Sequence, residues 1–508
     1  MDNPRLNWGS FLQAPNKVKH ALSDSLRWRF AAATSENPLN YRLEFSFGLG
    51  GSPPAQGAGY GLGEPPGKKP PKAYSNDLLW LIGCLAAALV ALICVAVGVA
   101  GVALYSMTTS RTAARPDSET VRLKIVSSLP MTGASLVQTQ TIVNAMQLRL
   151  EQADSQACDG MVKLTYEPWD DASASLGKWD PEVETENARK AADDSSVIVY
   201  LGTFNSGAAR LSIPILNQAG PLVMISPANT YPGLTRPGRG EAGEPDKYYP
   251  SDLRNYTRLT SPDDIQGEVA ARFIRNELNA NTVFVIDDGE QYGTMLADAF
   301  EDTAAGLGLR VVGREHFDPR DSDYIDLMAQ IAESDNGSPP DAIYASMIVD
   351  NNAAQLLKDK VKIMGDQTQV KVVGPDGIQT SAFTEAAGAD IAEGVYASVG
   401  GLTFDKLPAA AQQFRQDYDQ RYGGSLNETY AVYGYEAMSV ALKEIEDVCA
   451  SGGDPADRRA VRDAVFAIRD FDGVLGTWSF DKNGDTTLTD MTFYVIRDGE
   501  YVYYGHFK

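Results

Sequence analysis

The chain has 508 residues, a formal net charge of −23, four cysteines and three histidines. This length allows two or three domains with sizeable cores, and the acidic charge argues against nucleic acid as a partner, because nucleic-acid binding requires a basic surface. None of the histidines lies beside a candidate nucleophile, so we do not expect an enzyme of the Ser–His or Cys–His type. We also expect no cofactor.

The charge is distributed unevenly along the chain. Residues 1–77 carry nine Lys and Arg against six Asp and Glu, a net of +3, so the remaining residues carry −26. Gly48–Lys72 is rich in Gly and Pro without apolar periodicity, which is typical of a linker or disordered segment. Lys17–Ala33 fits either a basic amphipathic helix for a membrane surface or partner, or a weakly ordered tail. We expect residues 1–77 to form a largely disordered cytoplasmic tail.

A single segment has the character of a membrane-spanning helix. Leu78–Tyr105 contains no charged residue over 28 positions, which is enough to cross a bilayer with some tilt. It begins too far along the chain for a cleaved signal peptide, and in the lipoprotein-like box Leu81–Cys84 most of the apolar residues follow the cysteine instead of preceding it. The lysines before the segment outweigh the charges after it, so we expect the N-terminus in the cytoplasm. Residues 106–119 are then a linker, and residues 120–508 an extracellular or periplasmic binding domain.

The first part of this domain alternates strands and helices. We predict strands over Val121–Val126 and Leu164–Glu167, and helices over Leu136–Gln152 and Glu184–Asp193. Such alternation indicates a parallel sheet with helical crossovers.

The stretch from residue 197 to 235 carries the strongest functional signal. Val197–Leu201 is an apolar run rich in β-branched residues, which is typical of a buried strand. Asn205 and Ser206 lie where the next helix should begin. The following strand, Leu222–Ile225, again ends in a small polar cluster, Ser226–Thr230. In parallel sheets ligands bind outside the carboxyl ends of strands, and helix N-termini favour anions. We therefore predict a small-molecule site that binds a carboxylate.

Several motifs in this domain resemble one protein family. They are GTFNSGAA (202–209), PILNQAGPLVMISPANTYPGLT (214–235), PMTG (130–133), DGEQYG (288–293), GPDGI (374–378) and FDGVLGTWSFDKNGD (471–485). In this order they resemble the substrate-binding proteins of ABC importers for branched-chain amino acids, and the resemblance covers Ser118–Lys508. It implies the α/β, two-lobed type I periplasmic-binding-protein fold, with two doubly wound parallel sheets joined by hinge crossovers.

The second lobe is predicted from a further run of alternating elements. Arg236–Asn255 is polar and rich in Pro and Gly, and we interpret it as a long loop at the mouth of the cleft. Tyr256–Leu259 would be the crossing strand. Strands and helices then alternate up to Val370–Gly374, after which the resemblance returns the chain to the first lobe. The predicted lobe 1 comprises residues 120–255 and 376–480, and lobe 2 comprises residues 256–375 and 481–508.

Two acidic clusters imitate metal sites. Asp170 and Asp171 are adjacent, but no third ligand follows at a useful spacing. Asp481 starts a segment like an EF-hand loop, yet Gly484 stands at the fourth position instead of the sixth, and Thr492 occupies the twelfth position, which should be Glu. We predict a β-turn there and no metal.

The resemblance implies how the carboxylate of an amino acid would be held. In the family a serine hydroxyl and backbone N–H groups after the third strand bind it, together with a threonine after the fourth strand. These positions match Ser206 and Thr230. Asn205 would lie beside the ligand, with a contact that the resemblance does not define.

The resemblance also implies an ammonium partner and a cover. A backbone carbonyl, matching Ala228, and an acid from the second lobe, matching Asp321, would meet the ammonium. Tyr292 of the DGEQYG motif would close over the ligand. Gln138 occupies a position that is often aromatic in the family, a departure that leaves its role open.

Two functions follow from a two-lobed ligand-binding domain on a membrane anchor. In the first, the protein captures an amino acid or related small molecule and delivers it to the membrane permease of an ABC importer of the branched-chain amino acid type. In the alternative, the domain is the ligand-sensing ectodomain of a membrane signalling protein. The sequence leaves open which amino acid or amide is bound, and it also leaves open whether Cys158 and Cys449 form a disulfide.

Overall fold

The computed structural model describes residues 120–424 and 426–508. The predicted tail (1–77), membrane-spanning helix (78–105) and linker (106–119) lie outside the described residues. Within the described ranges, no helix combines the length and the apolar character that a bilayer crossing requires.

The described residues alternate strands and helices. The strands are β1 Val121–Leu129, β2 Gln156–Ala157, β3 Val162–Asp170, β4 Ala172–Ser173, β5 Lys178–Trp179, β6 Val197–Gly202, β7 Val223–Ser226, β8 Tyr256–Arg258, β9 Thr282–Asp287, β10 Arg310–His316, β11 Ala342–Ser346, β12 Lys371–Gly374, β13 Tyr396–Gly400, β14 Phe471–Gly473, β15 Gly476–Trp478, β16 Met491–Arg497 and β17 Glu500–Phe507. The helices are α1 Leu136–Gln152, α2 Pro181–Asp193, α3 Ser206–Asn217, α4 Asp263–Asn276, α5 Gln291–Leu307, α6 Ile325–Ala332, α7 Ala353–Met364, α8 Ser381–Ala387, α9 Ala389–Ala392, α10 Ala409–Tyr422, α11 Ala431–Ala450 and α12 Arg458–Ala467.

Two large sheets define two lobes. The first has the strand order β2-β3-β1-β6-β7-β8, and the second has the order β10-β9-β11-β12-β13-β16-β17. In the first sheet β1, β3, β6, β7 and β8 pair in parallel, and in the second β16 and β17 add an antiparallel edge. Each sheet has apolar clusters on both faces, built with the flanking helices. The predicted α/β architecture with parallel sheets is confirmed.

Local sequence explains how the elements around the cleft form. All six residues of β6 are buried, as its continuous apolar composition predicts. Helix α2 begins with Pro181, and the Asp180 side chain accepts the N–H of Glu182, so a proline at the first position and a capping carboxylate set its start. Helix α5 ends at Gly308, whose φ of 69° lies in the left-handed region that glycine adopts without strain.

The lobe boundaries differ from the prediction. Tyr256–Arg258 pairs with β7 and completes the first sheet, so the chain crosses after residue 258 and not at 256. Tyr396–Gly400 belongs to the second sheet, where it pairs with β12 and β16. The return to the first lobe therefore follows residue 400 and not 375. Short strands carry too little periodicity to identify their sheet, because pairing partners come from distant parts of the chain.

Cys158 and Cys449 form a disulfide, with 5.8 Å between their Cα atoms. The bond joins the segment after β2 to the end of α11. The pairing left open by the sequence is thus present in the first lobe.

Candidate functional site

A cavity lies between the two lobes, at the carboxyl ends of β6 and β7. These strands pair in parallel, so the polar residues that follow them meet at one edge of the sheet, as predicted. The cavity is lined by Phe204, Asn205, Ser206, Ala228, Thr230, Tyr292, Ile348, Asp376, Gly377 and Tyr430. Residues of both lobes therefore face the same space.

Five of the six predicted site residues line this cavity, namely Asn205, Ser206, Ala228, Thr230 and Tyr292. The sixth, Asp321, is exposed in the segment between β10 and α6. Its backbone carbonyl accepts a hydrogen bond from the Asn352 amide at 3.0 Å. The structure thus brings the first five together and leaves Asp321 outside the lining.

Ser206 is placed to donate a hydrogen bond to an anion. It opens helix α3 and is 2 % exposed. Its hydroxyl oxygen is approached by the backbone N–H groups of Thr230, at 3.4 Å, and Tyr231, at 3.3 Å. Because these contacts use the oxygen as an acceptor, the hydroxyl proton remains available for a ligand. The N-terminus of a three-turn helix adds a favourable potential for negative charge.

Tyr292 reaches the cavity from the second lobe. Its hydroxyl donates to Oδ1 of Asp376 at 2.6 Å and accepts the N–H of Gly377 at 3.2 Å. Burial, reinforced by the charge of Asp376, raises the pKa of Tyr292 well above its ordinary value. The phenol therefore stays a hydrogen-bond donor at neutral pH.

Sequence reasoning missed half of the lining, including Phe204, Asp376 and Tyr430. Asp376 lies within the GPDGI motif, which was noted for the chain's return to the first lobe and not for its carboxylate. Tyr430 directly precedes α11, and no motif singles it out as a ligand-binding residue. The rings of Phe204 and Tyr430 pack edge to face with centroids 5.9 Å apart, which gives the cavity an aromatic wall.

Several contacts bridge the lobes around the cavity. Lys178 of the first lobe lies 2.5 Å from the Glu290 carboxylate of the second, and Ser135 of the first lobe hydrogen-bonds to Asp350 of the second through both its N–H and its hydroxyl. The free volume of the cavity is about 30 Å³, which is room for one or two water molecules. An amino acid can enter such a space only if the lobes move apart.

A larger cavity, about 1070 Å³, is a groove elsewhere in the first lobe. It is lined by residues of α1, α10, α11 and α12, such as Arg149, Phe414, Glu444 and Ala464. Nothing from the second lobe lines it, so lobe closure cannot act on a molecule bound there. The smaller cavity is the better candidate site, because polar residues that follow β6 and β7 line it and because it lies between the two lobes.

The structure also describes the two acidic clusters that imitate metal sites in the sequence. Among the described residues no cluster of three or more His, Cys, Asp or Glu could hold a metal ion. Asp170 instead accepts the N–H of Met131 at 2.7 Å and the Thr132 hydroxyl at 3.0 Å, which holds the PMTG loop in place. Gln138 donates to the carbonyl of Gln379 at 3.3 Å and does not line the cavity.

Comparison with protein families gives one match over most of the chain. The family model described as "Periplasmic binding protein" matches residues 122–500. The matched residues include both lobes and the cavity between them.

Curated relatives match most of this chain in sequence, and solved structures share its fold. The Leu/Ile/Val-binding protein BraC3 of Rhizobium johnstonii is 24% identical over 382 residues, which is 73% of this chain and 91% of the relative. The leucine-, isoleucine-, valine-, threonine- and alanine-binding protein of Pseudomonas aeruginosa is 24% identical over 408 residues, covering 78% of this chain and 93% of the relative. The leucine-binding protein LivK of Thermotoga maritima superposes with a TM-score of 0.63 at 22% identity, over 76% of this chain and 98% of that structure. LivJ of Streptococcus pneumoniae, solved with isoleucine, gives a TM-score of 0.61 at 21% identity, over 75% of this chain and all of that structure.

Proposed function

Since the chain belongs to the periplasmic binding proteins, as one of the substrate-binding proteins of branched-chain amino acid ABC transporters, we propose that it is a membrane-anchored solute-binding protein. It captures an amino acid or related small molecule between its lobes and delivers it to the permease of an ABC importer. The observation that carries this proposal is the cavity, because Ser206 and Thr230 of the first lobe and Tyr292 of the second face one another across it. The curated relatives described above are named as amino acid-binding proteins, and they do not favour the alternative of a signalling ectodomain.

In this proposal the ligand carboxylate is bound at the first lobe. The Ser206 hydroxyl donates to it, the Thr230 hydroxyl lies beside it, and the N-terminus of α3 stabilises its charge. Asn205 lines the same end of the cavity. Ser206 is held by the start of α3, and Thr230, in the loop after β7, donates its backbone N–H to the Ser206 hydroxyl.

The other end of the ligand is bound as the lobes close. The carbonyl of Ala228 accepts a hydrogen bond from the ammonium, and Tyr292 covers the ligand from the second lobe. The family pattern assigns the remaining acid to Asp321, whose side chain would have to reach the cleft from its exposed segment. Closure removes water from the site and so strengthens each of these polar contacts.

Ligand binding by the full-length chain in detergent tests the proposal. A ligand that binds only the folded state raises the unfolding free energy by about 2.7 kcal/mol at a hundredfold excess over its dissociation constant. We expect a rise in melting temperature with one class of amino acids and none with the double variant Ser206→Ala/Thr230→Ala. The double variant Ser338→Ala/Thr477→Ala, at two exposed positions, is the matched control. No shift with any amino acid or small amide would refute the proposal.

Anchoring is tested separately. We propose that residues 78–105 hold the protein in the lipid bilayer as a single span, with the N-terminus in the cytoplasm and the binding domain outside. Deletion of residues 78–105 should move the protein from the membrane fraction to the soluble fraction. Protease added to intact cells should digest the binding domain and spare a tag at the N-terminus. A tag that is digested from outside would refute this orientation.

A further inference from the structure

The groove of about 1070 Å³ in the first lobe follows helix α11 for most of its length. On this helix the lining of the groove begins at Tyr435 and ends at Ser451, which directly follows the last turn. At the rise of 1.5 Å per helical residue, this separation is about 24 Å. An occupant that fills the groove is therefore elongated, with the length of about four helical turns.

The groove combines buried apolar residues with one wall of short side chains. Phe414 of α10, Val448 of α11 and Ile468 after α12 line it and are at most 5 % exposed. The lining residues of α12 share one small side chain and are Ala460, Ala464 and Ala467. They recur at helical spacing on one face, and short side chains allow a second helix to pack at a small interaxial distance. The shape and the apolar surface therefore suit a helix that lies in the groove.

Glu444 adds a buried carboxylate without a donor to this lining. It is 6 % exposed, and no hydrogen-bond donor among the described residues reaches its carboxylate. Glu436, the other buried acid of the lining, accepts the indole N–H of Trp478 at 2.7 Å and the backbone N–H of Val474 at 3.0 Å. Buried polar groups in native proteins are nearly always paired, and leaving one unpaired destabilises the fold. A donor that enters the groove would supply the contact that Glu444 lacks.

The charges of the lining favour a basic occupant. Six of the lining residues are acidic and three are basic. The three basic residues already have partners within the first lobe, since Arg149 donates to Ser439, Lys443 pairs with Asp447, and Arg469 donates to the carbonyl of Ile468. Glu444 forms no ion pair with any of them, so its carboxylate remains open to a cation from outside.

We propose that this groove binds an amphipathic helix of a partner protein, and that a lysine or arginine in the apolar face of that helix donates to Glu444. Apolar side chains of the helix pack on Phe414 and on the alanines of α12. The position of Glu444 between Tyr435 and Ser451 sets the basic residue near the middle of the bound helix. Since residues of the first lobe alone line the groove, this docking does not depend on lobe closure.

Two synthetic helical peptides of about 16 residues serve as probes. Both carry leucines along one face. One has a lysine in the middle of that face, and the other has acetyl-lysine, which keeps the stem and removes the charge. Fluorescence anisotropy measures their binding to the full-length chain in phosphatidylcholine nanodiscs, so that no free detergent competes for the groove. Empty nanodiscs give the background from binding to lipid.

We expect the lysine peptide to bind the unmodified chain about tenfold more tightly than the acetyl-lysine peptide, as for a hydrogen bond to a charged group. Glu444→Gln should remove this preference, because the amide carries no charge. Ala464→Trp, which fills the groove, should weaken the binding of both peptides. Ala305→Trp, at an exposed alanine of α5 in the second lobe, is the matched control and should weaken neither.

A preference for lysine that survives Glu444→Gln would overturn the inference, as would equal weakening by Ala464→Trp and Ala305→Trp at equal melting temperatures. Failure of both peptides to bind the unmodified chain would also overturn it. If sedimentation then shows a dimer that Ala464→Trp dissociates, the groove joins two copies of this chain and not a partner helix. These outcomes leave the proposed function untouched, because amino acids bind at the separate cavity between the lobes.

Discussion

Arg258 and Asp485 form an ion pair with 2.7 Å between Nε and Oδ1, and neither side chain is more than 1 % exposed. Arg258 is the last residue of β8, directly before the first crossing between the lobes. Asp485 lies in the turn that precedes the last crossing, and its other oxygen accepts Nε of Arg236 at 2.7 Å. The pair therefore links two of the segments about which the lobes must hinge.

Removing the charge of Asp485 should strongly destabilise the protein. Asp485→Asn leaves Arg258 buried without its counter-charge, and breaking one partner of a buried pair costs about 3–5 kcal/mol of unfolding free energy. Urea denaturation followed by circular dichroism measures this loss. Asp481→Asn, in the same turn but without an arginine partner, is a suitable comparison. A loss below about 1 kcal/mol for Asp485→Asn would show that the pair does not stabilise the hinge.

The same ion pair predicts that the stability of the fold decreases at acidic pH. Burial alone would raise the pKa of Asp485, but the charges of Arg258 and Arg236 outweigh it and the pKa lies below its ordinary value of 3.8. A lowered pKa stabilises the folded state above pH 3.8, and that contribution is lost as the pH falls through the folded value. The stability difference between the unmodified chain and Asp485→Asn should be constant from pH 5 to 7 and shrink below about pH 4. A difference that stays constant down to pH 2 would contradict this.

The sequence predicted the half of the site that depends on local pattern. β6 is a continuous apolar run followed by small polar residues, so both the buried strand and the position of Ser206 could be read from neighbouring residues. The parallel pairing of β6 and β7 then brought Ser206 and Thr230 to one edge of the sheet.

The other half depends on contacts between distant residues. Tyr430 donates to Asp376 across 54 positions and between lobes, and no local pattern predicts such a contact. The predicted start of the second lobe at residue 256 differs from the structure for the same reason, since the three residues of β8 join the first sheet through pairing with β7. Asp321 was assigned by family pattern alone, and its exposure could not be seen without the packing of the second lobe.

Glu444 should make the stability fall as the pH rises. It lies on α11 and is 6 % exposed, and its carboxylate has no hydrogen-bond partner among the described residues. Burial, with the charge of Asp447 adding to it, raises the pKa of Glu444 to about 7. Because the folded state favours the protonated acid, its contribution is present below pH 4.5 and is lost as the pH rises through about 7.

Glu444→Gln, which resembles the protonated side chain, should therefore reduce the fall of stability with rising pH. We expect the variant and the unmodified chain to have equal melting temperatures near pH 4.5, and the variant to be more stable at pH 8. Calorimetric melting across this range checks the prediction. Glu184 and Glu436, whose pKa values burial also raises to about 7, retain their effect in the variant, so some slope remains. Equal melting temperatures at pH 8 would contradict the prediction.

The disulfide should contribute substantially to stability. Cys158 and Cys449 are 291 positions apart, so their bond restricts a long loop of the unfolded chain. Cys158→Ser/Cys449→Ser should lower the unfolding free energy by about 2–5 kcal/mol. Denaturation with and without reductant measures the effect, and reductant should leave the double variant unchanged. Equal stability of oxidised and reduced protein would contradict the prediction.

The ion pair between Lys178 and Glu290 should favour the closed arrangement of the lobes. Its atoms are 2.5 Å apart, its side chains are 23% and 20% exposed, and the Lys178 ammonium also donates to Asn351 at 2.7 Å. Since a ligand held by both lobes binds the closed form, a smaller closed population raises the apparent dissociation constant in proportion. Lys178→Met should therefore weaken amino acid binding about fivefold, the effect of roughly 1 kcal/mol for a partly buried pair.

A charge exchange distinguishes the pair from other effects of changing Lys178. Lys178→Glu and Glu290→Lys should each weaken binding more than Lys178→Met does, because each places like charges across the cleft. The double variant should recover most of the affinity, since it restores opposite charges at the same two positions. Small-angle scattering without ligand should show larger dimensions for each single variant than for the double variant. If the double variant binds no better than the single variants, the contact does not control closure, and the hinge itself would set the balance between the open and closed forms.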